Sequence, residues 1–103
     1  MGIENSISVK WLEEHKYIAD PEIKDVWEKE YPTGLIIKVS YNVDEGLFYA
    51  RPIGPTSIDD ALNLLYFETI AFTAELAVHE CFSRYRNILR SAYALAVDVE
   101  IEE

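Results

Sequence analysis

The sequence predicts an α+β fold: a three-stranded antiparallel sheet in the order 2-1-3, packed by one long helix, with two short helices at the N-terminus. Apolar and polar residues alternate over 35–43 and again over 93–101, which predicts strands. Apolar residues recur at intervals of three and four between Leu64 and Leu95, which predicts the long helix. Because the 103 residues contain no linker, repeat or low-complexity tract, we expect a single domain, 1–103.

Two short helices are predicted in the first third of the chain. The first runs from Ser8 to Ile18. Asp20 and Pro21 predict the start of the second, because aspartate caps helix N-termini and proline is favoured at the first helical position. The residues that this second helix would direct inward are Ile23, Val26 and Trp27.

A hairpin follows. The first strand covers Leu35–Val43, and the connection 44–46 ends in Gly46, which tolerates a left-handed backbone. The chain then returns as the strand Leu47–Ile53. Because Pro52 cannot donate a backbone hydrogen bond, we place this second strand at an edge. The third strand is predicted at Tyr93–Ile101.

The long helix is predicted from Ile58 to Ala92, with no glycine or proline to interrupt it. Its length would be about 52 Å, whereas a compact domain of this size is only about 34 Å across. Part of its apolar seam would therefore be left for a second copy, and we expect a homodimer. The predicted seam consists of Ala71, Ala74, Val78, Tyr85 and Ile88.

Composition limits the compartment and the class of protein. Half of the residues are apolar and 13% are aromatic, which excludes a disordered acidic tail despite a net charge of -10. A single cysteine, Cys81, cannot form an intramolecular disulfide, so we expect a cytoplasmic protein. No apolar run is long enough to span a membrane, and we expect no membrane partner. Residues 1–6 nevertheless fit the N-myristoylation pattern, which leaves lipidation of Gly2 open.

Three groups of residues are candidate chemical sites. Glu68, Glu75 and His79 share one side of the predicted helix, but they lack a further well-spaced strong ligand for a transition metal. Cys81 lies on the apolar seam, where burial raises a thiol pKa and removes its reactivity. The basic cluster is Arg84, Arg86 and Arg90, which suits either a phosphate or the helix C-terminus. We therefore expect no enzyme, no metal and no cofactor.

The distribution of acidic residues is the feature that bears on function. Residues 1–33 carry eight acidic and four basic residues, and residues 57–83 carry five acidic residues and no Lys or Arg. Such a surface repels nucleic acid and attracts a basic protein. The predicted partner-binding residues are Glu13, Glu14, Asp20, Glu22, Asp25, Glu28, Glu30, Asp59 and Asp60.

The sequence supports two functional hypotheses. The first is a small non-enzymatic binding protein that docks on a basic, nucleic-acid-binding partner, as an inhibitor that imitates nucleic acid. Phage-encoded antagonists of bacterial defence systems provide a class-level analogy, because they are often small, acidic and free of motifs. The alternative is a structural or assembly subunit that forms homo-oligomers through its long helix. Excess charge that serves only solubility is the simpler explanation of the acidity.

Overall fold

A meander of antiparallel strands packed by helices on one face forms the part of the chain that the computed structural model describes, residues 3–53 and 67–97. The strands are β1 (Ile18–Ala19), β2 (Val26–Glu30), β3 (Ile36–Asn42), β4 (Leu47–Ile53) and β5 (Thr69–Ala71). Each pairs with the next, so the order is β1-β2-β3-β4-β5. The helices are α1 (Ile3–Glu14) and α2 (Ala74–Val97). The predicted three-stranded sheet in the order 2-1-3 is therefore wrong.

The central hairpin is confirmed. β3 and β4 pair along their full lengths, from Ile36 opposite Ile53 to Asn42 opposite Leu47. Gly46 adopts a left-handed backbone with φ of 70°. The edge position of β4 is wrong, because β5 pairs with β4 at residues 48–50. Pro52 lies beyond the end of β5, so its missing N–H costs no hydrogen bond to that strand.

The first predicted helix exists, but it begins at Ile3 instead of Ser8 and ends earlier than expected. α1 stops at Glu14 because Lys16 takes a left-handed conformation with φ of 68°. The N–H of Tyr17 then donates to the carbonyl of Leu12 (2.9 Å), and the N–H of Lys16 donates to that of Glu13 (3.1 Å). These two bonds form a Schellman cap, which usually requires glycine at the left-handed position. The chain leaves the helix in the direction of β1.

The second predicted helix is wrong, although its capping contacts form. One carboxylate oxygen of Asp20 accepts hydrogen bonds from the N–H groups of Glu22 (2.8 Å) and Ile23 (2.9 Å). The chain then turns at Asp25, with φ of 61°, and continues as β2. Five residue pairs with β3 stabilise the strand, and they place Trp27 beside Val39 in the core.

The single long helix Ile58–Ala92 is also wrong. β5 interrupts its path, and α2 begins only at Ala74. The hydroxyl of Thr73 accepts a hydrogen bond from the N–H of Leu76 (3.2 Å), which is the N-cap geometry. The predicted helical positions 58–66 lie outside the described residues, as do Gly2 and residues 98–101. The predicted third strand is wrong over 93–97, where α2 continues to Val97.

The core lies between the helices and one face of the sheet. Its fully buried side chains include Leu12 of α1, Ile37 and Val39 of β3, Phe48 of β4 and Cys81 of α2. Residues from both described helices and from strands β2 to β5 contribute to this cluster. Burial of these side chains is the main stabilising contribution to the fold.

A hydrogen bond joins the two helices at the start of α2. The buried hydroxyl oxygen of Ser8 in α1 accepts the N–H of Ala74 at 3.0 Å. That N–H is one of the four groups at a helix start that have no partner within the helix. Ser8 therefore stabilises the contact between α1 and α2, although the two bonded residues are 66 positions apart in the sequence.

Replacement of Ser8 by alanine is expected to lower the free energy of unfolding by about 1–3 kcal/mol, because it leaves a buried N–H without an acceptor. Urea denaturation measures the change. Ser83→Ala is the matched control, since Ser83 is exposed on α2, and it is expected to change stability by less than about 0.5 kcal/mol. Equal effects of the two substitutions would contradict a capping role for Ser8.

Candidate binding surface

The two faces of the sheet differ in character. Residues opposite one another in antiparallel strands share a face. The row on the helix side is buried and consists of Trp27, Val39, Ala50 and Thr69. The neighbouring row on the other side consists of Ile18, Glu28, Lys38 and Arg51. One face therefore forms the core, and the other carries charged residues.

A depression of about 280 Å³ lies on the charged face, where β1 meets β2. Its acidic lining residues are Asp20, Glu28 and Glu30, and its other lining residues are Ile18, Ala19, Pro21 and Ile36. We call these seven residues the acidic depression. Ile18 is 72% exposed, so the depression combines negative charge with an accessible apolar surface.

The alternation of β2 explains why charge accumulates there. Glu28 and Glu30 are two positions apart and therefore point to the same face, about 6.6 Å from each other. Lys29 lies between them and points to the opposite face. Its ammonium nitrogen is 4.6 Å from the centroid of the Tyr31 ring, a cation–π contact. Lys29 therefore does not neutralise these carboxylates, and a base that does share their face is Lys38, opposite Glu28.

Asp20 adds a carboxylate whose pKa is lowered by hydrogen bonds to its ionised form. The N–H groups of Glu22 and Ile23 donate to it, and these two hydrogen bonds hold the pKa of the Asp20 carboxyl below its ordinary value of 3.8. The positive charge of Lys38 also lowers the pKa of Asp20, by a smaller amount. The turn geometry therefore fixes both the position and the charge of Asp20.

Aromatic packing supports this edge of the molecule from behind. The rings of Trp11 and Tyr17 lie 6.1 Å apart, and the hydroxyl groups of Tyr17 and Tyr31 are hydrogen-bonded at 2.7 Å. The Tyr31 ring in turn meets Phe82 of α2 edge-on at 5.0 Å. This chain of rings connects β1, β2 and both helices, so the acidic depression is built on a well-packed base.

The structure brings only some of the predicted acidic residues together. Asp20, Glu28 and Glu30 line the depression. Four others precede or follow β1 in the chain: Glu13 and Glu14 at the end of α1, and Glu22 and Asp25 in the turn between β1 and β2. Asp59 and Asp60 lie outside the described residues.

The predicted oligomer seam does not form one exposed surface. Ala71 lies on β5, and Ala74 and Val78 lie on α2; all three are buried in the chain's own core. Tyr85 and Ile88 are only half-buried. The residues at the middle of the seam are thus already in contact with the sheet, which leaves no continuous seam for a second copy.

The other candidate residues are dispersed. Glu68 precedes β5, whereas Glu75 and His79 lie on α2, and all three are exposed. Within residues 3–53 and 67–97, no three His, Cys, Asp or Glu side chains are grouped as metal ligands would be. The predicted burial of Cys81 is confirmed, and burial raises the pKa of its thiol to about 12.

The basic cluster is likewise divided. The guanidinium carbon of Arg84 lies 5.6 Å from the centroid of the Phe67 ring. Arg86 lines a second depression, of about 340 Å³, together with His79, Phe82 and Ser83 of the same helix. Arg90 is half-buried. The three arginines therefore do not converge on one ligand.

Sequence reasoning missed the apolar part of the acidic depression. The first predicted helix includes Ile18 as its last residue, but Ile18 lies on an edge strand. The available signal was the β-branched isoleucine directly before Ala19, Asp20 and Pro21, which is typical of a short strand entering a turn.

Comparison of the chain with protein-family models, curated proteins and solved structures finds no match. Of the helices that the structure describes, neither is long and apolar enough to cross a membrane. Any assignment of function therefore depends on the surface itself.

Proposed function

We propose that this protein is a non-enzymatic binding protein that docks on a basic surface of a partner protein through the acidic depression. The observation that carries the proposal is the grouping of Asp20, Glu28 and Glu30 around exposed Ile18. Lys29 is held on the other face of β2 and does not neutralise this group. The depression thus offers carboxylates and an apolar contact at the same place.

The open position of the depression favours a protein partner. It lies at an edge of the sheet with Ile18 72% exposed, whereas small-molecule sites bury most of the ligand surface. It suits one long basic side chain, whose apolar stem packs on Ile18 while its charged end meets the carboxylates. Nucleic acid is disfavoured, because phosphates are repelled by the same carboxylates.

Charge and apolar contact contribute differently to such binding. Carboxylates accelerate association with a basic partner and make it sensitive to salt. Burial of Ile18 slows dissociation, since apolar anchors at the centre of an interface supply much of its affinity. The combination supports a specific interface in preference to charge that serves only solubility.

The finer proposal is that the partner surface binds nucleic acid and that this chain inhibits it. The distance of about 6.6 Å between Glu28 and Glu30 is comparable with that between successive phosphates of a nucleic-acid strand. The end of α1 and the β1–β2 turn, which adjoin β1 in the chain, carry four more acidic residues. A cytoplasmic location would give the protein access to such a partner.

Neutralisation of the acidic depression tests the proposal. The variant Asp20→Asn, Glu28→Gln, Glu30→Gln removes three charges and preserves shape, and it avoids the repulsion that lysines would create beside Lys38. The control Glu68→Gln, Glu75→Gln, Glu80→Gln removes three exposed charges elsewhere. Both variants and the original protein are immobilised and exposed to a host lysate at about 50 mM and about 500 mM salt.

A basic protein is expected to bind the original chain at low salt and to be released at high salt. With that protein purified, surface plasmon resonance is expected to show association at least about tenfold slower for the depression variant, and changed less than about threefold for the control. Equal slowing in both variants would show that only total charge matters. Binding that is insensitive to salt would overturn the proposal, and displacement of nucleic acid from the partner tests the inhibitory role.

A further inference from the structure

The depression on the surface of α2 is separate from the surface that carries the proposed function. Its volume is about 340 Å³, and the described residues that line it are His79, Phe82, Ser83 and Arg86. We call these four residues the α2 depression. Its three polar members, His79, Ser83 and Arg86, are spaced by four and then three residues, so they lie on one side of the helix. All three are exposed.

The polar side chains of the α2 depression are available to a ligand. Within residues 3–53 and 67–97, the side chains of His79, Ser83 and Arg86 form no hydrogen bond or ion pair. The other two arginines of α2 are engaged, because Arg84 lies over the Phe67 ring and Arg90 has a contact of its own. The guanidinium of Arg86 is therefore the one on this helix that a ligand can use without displacing a described contact.

The charge around the α2 depression is positive, in contrast to most of the chain. Residues 81–97 contain three arginines and no Asp or Glu, although the chain has a net charge of -10. Lys29 of β2 adds a cation from the sheet. Its ammonium nitrogen is 4.6 Å from the centroid of the Tyr31 ring, and this ring in turn meets Phe82 at 5.0 Å. The side of the sheet that α2 covers therefore carries a local basic group.

We propose that the α2 depression binds the phosphate group of a phosphorylated side chain in a partner polypeptide. The planar guanidinium of Arg86 matches two phosphate oxygens at once, with parallel hydrogen bonds. The Ser83 hydroxyl and a ring N–H of His79 are donors for the remaining oxygen, and a histidine ring carries at least one N–H in either protonation state. Among the described residues, no carboxylate lines the depression and competes for these donors.

The dimensions of the α2 depression suit one phosphate group. His79 and Arg86 are seven residues apart, which is about 10.5 Å along the helix axis. Ser83 lies between them. Because helical side chains lean towards the N-terminus, the long side chain of Arg86 can reach back to the level of Ser83. A nucleic-acid strand carries a row of phosphates, and the acidic residues elsewhere on the chain would repel it.

The exposure of the lining residues identifies a polypeptide as the source of the phosphate. Small-molecule sites bury most of the ligand surface, whereas a partner chain can present a phosphorylated side chain to an open site. Phe82 favours phosphotyrosine, since an aromatic ring next to the phosphate can pack against it. The inference is independent of the proposed function, because the acidic depression lies on the other face of the sheet.

Isothermal titration calorimetry with N-acetyl-phosphotyrosine amide, in a buffer free of phosphate, tests the proposal. We expect one equivalent to bind with a Kd below about 1 mM. Arg86→Gln removes charge-assisted hydrogen bonds and is expected to weaken binding at least about tenfold. Arg84→Gln is the matched control, because it removes the same charge from another exposed arginine that is outside the α2 depression. It is expected to change the Kd less than about threefold.

Three further probes identify the group that is recognised. N-acetyl-tyrosine amide lacks the phosphate and is expected not to bind. N-acetyl-phosphoserine amide is expected to bind more weakly than the phosphotyrosine probe, and equal binding would support a site for the phosphate alone. Adenosine monophosphate is expected to bind less tightly than either phosphorylated amino acid, and tighter binding would overturn the assignment to a polypeptide. No saturable binding of any phosphorylated probe, or equal losses in Arg84→Gln and Arg86→Gln, would overturn the site itself.

Discussion

Phe48→Ala is expected to lower the free energy of unfolding by about 3–5 kcal/mol. The Phe48 ring, near the start of β4, is fully buried and packs against the Tyr41 ring at 4.6 Å between centroids. It is paired with Tyr41 on β3 and with Ala71 on β5, beneath α2. Alanine would leave a cavity bounded by the sheet and that helix, which relaxation can fill only in part. The expected loss is a large fraction of the stability of a typical small domain, about 5–15 kcal/mol.

Urea denaturation followed by circular dichroism measures this loss. Phe72→Ala is the matched control, because Phe72 is 73% exposed and its removal creates no cavity. At about 2 μM protein, we expect the control to change the unfolding free energy by less than about 0.5 kcal/mol. Similar losses for both phenylalanines would contradict the placement of β4 at the centre of the fold.

The central hairpin was predictable because two independent signals agree there. Alternation of apolar and polar residues identifies each strand, and a glycine that tolerates a left-handed backbone marks the connection. The alternation also fixes which side chains enter the core, since a shift by one residue would expose Ile37 and Val39. Both are fully buried.

Short apolar sets elsewhere fit more than one structure. Ile23, Val26 and Trp27 suit one side of a helix, but only Val26 and Trp27 are buried, whereas Ile23 is 53% exposed. The capping hydrogen bonds of Asp20 serve a tight turn as well as a helix. Pairing with β3 favours the strand over the helix, and such long-range contacts cannot be predicted from local periodicity.

The prediction of a continuous helix through β5 was wrong for a related reason. Alanines at 71 and 74 continue the three-and-four spacing, although one belongs to a strand and the other to a helix. The overlooked signals were two β-branched residues, Thr69 and Ile70, and a threonine at the N-cap of α2. Beyond residue 92 a strand was predicted where the chain is helical. Apolar and polar residues alternate there, but alanine and leucine are strong helix formers, and α2 continues to Val97.

The candidate site was predictable in composition but not in geometry. Counting charges identifies an acidic N-terminal third, yet it cannot show that Lys29 turns away from Glu28 and Glu30. That arrangement depends on β2 being a strand, because a helix would have dispersed the same residues around its axis. The wrong secondary structure thus concealed the most informative cluster of the chain.

Raising the pH above about 9 is expected to destabilise the fold, and Cys81 supplies part of this effect. Burial raises the pKa of its thiol from 9.0 to about 12, with Arg84 opposing the shift only weakly. Below pH 8 the thiol is protonated in both the folded and unfolded states, so it contributes no pH dependence. Between pH 9 and 12 the unfolded chain releases this proton while the folded chain retains it, so stability falls as the pH rises.

Tyr17 acts in the same direction. Burial, followed by the hydrogen bond with Tyr31, raises the pKa of Tyr17 well above its ordinary value of 10.0. The unfolded chain therefore ionises at this position first, and alkaline solution favours unfolding. The pKa of Tyr31 is also raised by burial. The three groups adjoin one another between β2 and α2, so alkaline unfolding is expected to disrupt the aromatic base of the acidic depression.

Urea denaturation at pH 8, 9, 10 and 10.5 separates these contributions. The thiol is expected to account for a slope of up to about 1.4 kcal/mol per pH unit above pH 9. Cys81→Ala should therefore be less stable than the original protein at pH 8, because it leaves a small cavity, but should lose less stability as the pH rises. Tyr17→Phe should reduce the slope further at pH 10 and above. Tyr41→Phe, which alters a half-buried tyrosine outside this cluster, should leave the part of the slope due to Tyr17 in place. Parallel curves of stability against pH for the original protein and Cys81→Ala would contradict this prediction. They would mean that the thiol ionises as readily in the folded state as in the unfolded state, although Cys81 is completely buried.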